Sequence, residues 1–192
     1  MSSNSSNNSS NFDIRPVAPE QWAAIADLHL KSWRSAYRGI LTGEYLDGEI
    51  ELERSRAWQA RIGSGIPPDI GLFAARQHGQ LVGFVCANLN PDRTPQWGPR
   101  VENLHCHPDY KGKGTGRALL VRAAQWVEEE RPGSALHLYV YDLNEAARGF
   151  YRRMGATEVE SIMVSAADGR DHPEKVCWWP SARLVGSGSH IY

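Results

Sequence analysis

The sequence predicts an α/β fold of the α+β, mixed-sheet kind: one central sheet of about seven strands flanked by about four helices. Three observations predict it. An apolar, strand-like run, Val101–Cys106, passes through a glycine-rich turn directly into a helical pattern over Arg117–Glu130. Short apolar or alternating runs recur before and after it, separated by further segments of helical spacing. At 192 residues, with 41% hydrophobic side chains, the chain suffices for one buried core. A single domain is therefore expected over 12–180, between a disordered Ser/Asn-rich tail at 1–11 and a loose tail at 181–192.

Taken in order, Phe12–Val17 alternates as a strand. Pro19 opens a helix in which Trp22, Ile25, Ala26, Leu28, His29 and Trp33 recur at helical spacing, and Gly39 ends it. A second helix is expected over Glu44–Ile62, where Tyr45, Leu52, Trp58 and Ile62 recur among many charges. Gly63–Pro68 reads as a loop, Ile70–Arg76 and Leu81–Leu89 as a strand pair, and Gly79 lies in the short turn between them. A loop with three prolines, Asn90–Pro99, leads into Val101–Cys106. The helix after the glycine turn offers Leu119, Leu120, Ala123, Ala124 and Val127 to the core, and Arg131-Pro132-Gly133 stops it. Then come a strand at Ala135–Val140, a helix at Asn144–Met154 stopped by Gly155, and strands at Ala156–Val164 and Glu174–Trp179 around the turn Asp168–Asp171.

Composition excludes several functions. The balance of 21 basic and 22 acidic residues lacks the excess of a nucleic-acid binder. No run approaches the roughly 18 apolar residues of a membrane span. Residues 1–11 lack the charged start and apolar centre of a signal peptide. Cys86, Cys106 and Cys177 lie far apart, with neither disulfide nor metal spacing, which fits reduced thiols in a cytoplasmic protein.

The chemistry centres on Lys111-Gly112-Lys113-Gly114-Thr115-Gly116-Arg117. The first N–H groups of a helix lack partners, and the peptide dipoles make that end positive. Glycines let an anion approach those groups, so the turn reads as a pyrophosphate cradle with two lysines adding charge. It is not a P-loop, because Gly114 is followed by Thr115-Gly116 rather than Lys-Ser/Thr. The dinucleotide fingerprint fails too, its third glycine falling on Arg117 or Leu119. Lys111-x-x-Gly114-x-Gly116 instead resembles the acyl-coenzyme A signature of the GNAT superfamily of N-acetyltransferases, usually Gln/Arg-x-x-Gly-x-Gly/Ala. Lys111 departs from it, keeping the charge but not the planar fork of Arg.

A second stretch, Val140-x-x-x-Asn144-x-x-Ala147-x-x-Phe150-Tyr151-x-x-x-Gly155, resembles the other signature of that superfamily. Asn144, Ala147 and Tyr151 recur three and four apart and share one helix face. The resemblance implies that this face lines the coenzyme, with Asn144 bonding its pantetheine arm and Tyr151 protonating the departing thiolate. It also implies coenzyme contacts from Leu104, His105, Cys106 and the turn 111–117, with the Cys106 main-chain N–H receiving the oxyanion. The plainer reading makes Asn144 an N-cap and Tyr151 a core aromatic.

The implied reaction is direct attack of a primary amine on acetyl-coenzyme A, with no metal. Glu102 is the expected general base, acting through water, by resemblance to acidic residues that the family carries on this strand. Strand alternation puts Glu102, Leu104 and Cys106 on one side and His105 and His107 on the other. His105 is the second candidate, if a bulge changes its side. His105 and His107 have no third ligand placed for a metal. Trp33 and Tyr37 match the Trp-x-x-x-Tyr-x-Gly segment that walls the family's acceptor pocket, or else pack in the core. The acidic run Glu44, Asp47, Glu49, Glu51 and Glu53 either draws in a cationic amine or is a solvated helix face. Three acceptor readings follow: a small-molecule amine, a protein or peptide amine, or a coenzyme A-binding regulatory domain without turnover. A homodimer through the adjacent Trp178 and Trp179 is a further expectation, since neighbouring strand residues face opposite sides.

Overall fold

The computed structural model describes residues 12–48, 50–91 and 95–187, so the N-terminal tail at 1–11 lies outside it. The apolar runs form β1 (Asp13–Pro16), β2 (Ile70–Gln77), β3 (Gln80–Asn88), β4 (Arg100–Cys106), β5 (Leu136–Tyr141), β6 (Thr157–Ser165) and β7 (Asp171–Trp179). The main helices are α1 (Trp22–Ala36), α2 (Gly43–Asp47), α3 (Ile50–Ile62), α4 (Thr115–Glu130) and α5 (Glu145–Arg153). All seven strands join one sheet in the order β1-β2-β3-β4-β5-β7-β6. The first four form an antiparallel meander, and α4 carries the chain across to β5, which runs parallel to β4. β7 enters between β5 and β6 and is antiparallel to both.

Helices α4 and α5 cover one face of the sheet. Leu119, Leu120, Ala123 and Val127 of α4 are fully buried there, with Val85, Ala87, Leu136 and Leu138 beneath them and Tyr151 of α5 beside them. Helices α1 and α3 cover the other face, where Ile25, Leu28, Trp58 and Ile62 pack on Leu72, Ala74, Phe84 and Cys86. From Phe84 onward, even and odd positions of β3 thus serve different cores, as a strand's two-residue period requires; the register shift that leaves Val82 unpaired with β2 reverses the phase before it. Among the described residues no helix is long and apolar enough to cross a membrane.

Three sequence expectations are corrected. The helix expected over Glu44–Ile62 is two helices, because the backbone leaves helical geometry at Gly48 (φ −101°, ψ −118°). A Cβ there would lie 2.7 Å from the Glu44 carbonyl oxygen, so only glycine lets the turn close. The tail expected to be loose from 181 is packed as far as 187. Ala182 and Val185 are buried, Ala182 N–H donates to the Ser134 carbonyl, and Gly186 N–H donates to the Met154 carbonyl. Polar residues around two small apolar anchors hid this from a composition argument. Finally, Trp178 and Trp179 are both accommodated within one chain. Trp179 is fully buried and donates its indole N–H to the Met154 carbonyl at 2.9 Å, while Trp178 lies edge-on to Trp97 at 6.0 Å.

Candidate active site

Two structural faults in the sheet build the site: a gap between β4 and β5, and a bulge in β4. The β4–β5 ladder holds one pair among the described residues, Arg100 with His137, and beyond it the parallel strands part. His107 N–H donates to the Val82 carbonyl at 2.9 Å, and Cys106 stands opposite Gly83. Bonded pairs alternate along an antiparallel ladder, so the N–H groups of Leu104 and Cys106 turn away from β3 and into the gap.

The glycine turn closes one end of that gap. Gly112 and Gly114 take φ of +74° and +89°, a region that side chains resist. Gly114 caps α4 without a side-chain bond, and the first intrahelical donor is Ala118 N–H to the Gly114 carbonyl. The N–H groups of Thr115, Gly116 and Arg117 stand ahead of it, at the positive end of the helix. A Cβ on Gly116 would lie 3.6 Å from the Phe150 ring and 3.8 Å from Cys106 Sγ. β4, α4 and α5 therefore converge here within van der Waals contact. The Thr115 hydroxyl is buried beside them with no partner among the described residues.

The charged side chains of the turn point elsewhere. Lys111 Nζ bonds Ser35 Oγ at 3.0 Å, Lys113 lies over the Tyr110 ring at 4.8 Å, and Arg117 bonds the Gly186 carbonyl. On α5, Asn144 Oδ1 accepts from Ala147 N–H at 3.2 Å, so the capping role is realised. That bond uses the oxygen and leaves the amide N–H groups for another partner. Ala147 and Phe150 are partly buried against the core that holds Tyr151. Burial, then Tyr37, Cys177 and Cys106, push the Tyr151 phenol far above its usual range, so it keeps its proton at any physiological pH.

The bulge overturns the expected alternation. Cys86 pairs with Asn103 and Ala87 with Val101, which leaves Glu102 as the extra residue. An extra residue inverts the facing of everything before it. Leu104 keeps to the α4 side, but Glu102 turns to the α1–α3 side and joins His105. There the two line a cavity of about 190 Å³ with Trp33, Tyr37, Tyr141 and Glu174. Trp33 and Tyr37 meet edge-on at 5.1 Å and also pack on a small core of Leu30, Leu41, Leu46 and Ile50. Both readings of that pair are thus compatible with its position. His105 does not reach the gap with its side chain; its Nδ1 bonds Ser32 Oγ at 3.2 Å, while His107 caps a turn at Asp109 N–H.

Glu102 is held tightly. Arg61 and Arg100 pair with its two oxygens, and Asn88 Nδ2 donates to it at 3.0 Å. Burial would raise this carboxyl, but Arg61, Arg100 and Asn88 outweigh it and hold it below the usual range. The same side of the sheet buries uncharged histidines. Burial, then Arg54, lowers His105 to about 3; burial, then Arg100, lowers His137 to about 4; and burial, His105 and Arg54 depress His29 strongly. The unfolded chain protonates these rings near pH 6.5. Below that pH it binds more protons than the fold does, so stability falls with pH, by up to about 1.4 kcal/mol per pH unit for each ring. The urea midpoint should drop clearly between pH 7 and pH 5. A flat profile would mean that these rings are charged in the fold.

Sequence reasoning missed Glu174, Tyr139 and Tyr141 as cavity residues, and Arg54, Arg61 and His29 behind them. The alternation of β5 carried part of the signal: Leu136, Leu138 and Val140 face the α4 core, which sends Tyr139 and Tyr141 to the other face.

The sequence profile of the acetyltransferase (GNAT) family matches residues 22–156, most of the sheet and all of the gap. A spermidine N(1)-acetyltransferase of Thermoplasma acidophilum is 23% identical over 162 residues, covering 83% of this chain and 93% of the relative. Among solved structures, the PaiA N-acetyltransferase of Thermoplasma acidophilum in complex with coenzyme A superposes with a TM-score of 0.65 at 21% identity, covering 86% of this chain and 98% of that one. The ribosomal-protein-S18-alanine N-acetyltransferase of Escherichia coli superposes at 0.62 and 18% identity, covering 95% and 99%.

Proposed function

Because the chain belongs to the acetyltransferase (GNAT) family, and so to the acyltransferases, we propose that it moves an acetyl group from acetyl-coenzyme A to a primary amine of a small molecule by direct attack. The observation that carries this reading is the convergence of β4, the N-terminus of α4 and α5 on one gap in the sheet. The coenzyme complex of the PaiA structure supports the choice of donor.

Each residue then has a task. The N–H groups of Thr115, Gly116 and Arg117 hold the pyrophosphate, with Gly112 and Gly114 giving it access, while Lys111 and Lys113, turned to Ser35 and Tyr110, add charge only at longer range. Asn144 and Ala147 line the pantetheine arm, Asn144 donating from its amide. Cys106 N–H, and Leu104 N–H behind it, face the gap where the thioester carbonyl develops charge. Tyr151, protonated and buried, gives its proton to the thiolate. The amine comes from the opposite face of the sheet, past Trp33 and Tyr37. Glu102 is a weak base in its arginine clamp, so it stays ionised and takes the ammonium proton through water.

Calorimetric titration with acetyl-coenzyme A, followed by thiol release against a panel of amines, tests this. Binding should be saturable, release should follow one class of small amine, and Glu102→Gln should cut kcat/KM about 10²-fold. No binding would sink the coenzyme reading. Release with peptide amines alone would replace the small-molecule acceptor, and binding without release from any amine would point to a regulatory domain.

A further inference from the structure

We propose that the amine acetylated here also carries a carboxylate, seated in a second cavity between α3 and β4. The inference rests on the acetyl-transfer reading and narrows its acceptor to amino-acid-like molecules.

This second cavity, of about 350 Å³, adjoins the acceptor cavity and shares Arg100, Glu102 and Asn103 with it. His29, Arg54 and Arg61 complete its polar lining. Its arginines are paired, Arg54 with Glu53 and Arg61 and Arg100 with Glu102, yet three donors on the lining residues lack an acceptor among the described residues. His29 is 2% exposed, and the Trp58 indole N–H donates to its Nδ1 at 2.9 Å. An uncharged imidazole that accepts at Nδ1 carries its proton on Nε2, so His29 presents an N–H there. That Nε2, the Arg54 Nε and the Arg100 Nε are all buried and have no acceptor among the described residues. The one carboxylate in the lining, Glu102, is already shared by Arg61, Arg100 and Asn88.

Three buried donors around one cavity are costly unless an acceptor arrives. A carboxylate fits, because it has two oxygens with about four lone-pair sites and no donor, and guanidinium forks match it. A polyamine would bring only further donors and positive charge to this wall. Of the described residues of the acidic run on α2 and α3, only Glu53 meets an arginine of this cavity. Asp47 is paired with Arg38, Glu53 with Tyr45 and Arg54, and Glu51 lies 3.8 Å from Arg34. At the other end of the joined cavities, Glu174 lines the acceptor cavity only, on the side where an ammonium would enter past Trp33 and Tyr37. An acceptor with opposite charges at its two ends matches that polarity.

The test compares binding and turnover of matched pairs on the full chain. For binding, N-acetyl-amino acids with small, apolar and aromatic side chains are titrated against their carboxamides, in the wild type and in Arg54→Met. For turnover, lysine is compared with cadaverine and ornithine with putrescine, which lack only the carboxylate. At least one acid should bind tenfold or more tighter than its amide, and the preference should fall to about one in Arg54→Met while the amide's own affinity holds. Lysine or ornithine should exceed its decarboxylated partner in kcat/KM. If every acid and amide bind equally, or none binds, the proposal is overturned. It is equally overturned if the diamines are preferred in turnover. Acid-selective binding without thiol release from any amine would sustain the carboxylate seat and refute acetyl transfer instead, and a fold check by melting temperature accompanies the variant.

Discussion

Gly116→Asp should weaken acetyl-coenzyme A binding by about 10²–10³-fold and leave the melting temperature unchanged or slightly raised. The two effects separate because the position is structurally tolerant but chemically critical. A Cβ at residue 116 would meet its nearest neighbours at 3.6 and 3.8 Å, ordinary contact distances. Replacing a helical glycine removes a cost of roughly 0.5–1 kcal/mol. A carboxylate in the first turn of α4 adds about 0.3–1 kcal/mol of favourable dipole interaction. The same carboxylate, however, stands at the N–H groups proposed to hold the pyrophosphate. Two like charges about 4 Å apart repel by about 4 kcal/mol at an effective dielectric of 20, and two to three decades of affinity correspond to about 3–4 kcal/mol. Gly116→Ala is the control for bulk and should bind within a few-fold of the wild type. Unchanged affinity in the Asp variant would mean that the turn at 112–117 holds no anion.

Tyr151→Phe should lower kcat about 10²-fold with acetyl-coenzyme A affinity almost unchanged. The substitution removes one oxygen from a side chain packed edge-on to Phe150 and Trp179, so it opens no cavity. What it removes is a proton donor that the fold keeps protonated by burying it near Tyr37, Cys177 and Cys106. General acid help spans about 10²–10⁴-fold. The low end is expected here, because a thiol with a pKa near 8.5 leaves readily without help. The deficit should be constant across pH 6–9, since the native phenol does not titrate there. Collapse of affinity with kcat preserved would make Tyr151 a packing residue.

The fold was largely legible in the chain. The strand, glycine turn and helix at 101–130 obey local rules, and so do the helix stops at Gly39, Pro132 and Gly155. The backbone of the turn was legible for the same reason: positive-φ glycines and the first N–H groups of a helix are properties of a few consecutive residues. Failures came where a remote contact decided the matter. The segment 181–187 looked loose because its packing depends on partners at Ser134, Met154 and Arg117, which composition cannot reveal. The helix break at Gly48 hung on one close approach to Glu44.

The α1–α3 side of the sheet was the least legible part. His29, Arg54, Arg61, Arg100 and Glu102 come from α1, α3 and β4, and only the packing of two helices on a sheet face puts them around one cavity. The bulge at Glu102 has no marker in Val101-Glu102-Asn103, because a bulge is a mismatch between two strands, not a property of one. By itself, then, the sequence determined the mixed α/β architecture, the glycine turn into α4 and the helix face bearing Asn144, Ala147 and Tyr151, all set by local periodicity and backbone preference. Only the tertiary structure decided which way Glu102 faces, how firmly its charge is held and what lies behind it, because those depend on strand register and on charges brought together from distant parts of the chain.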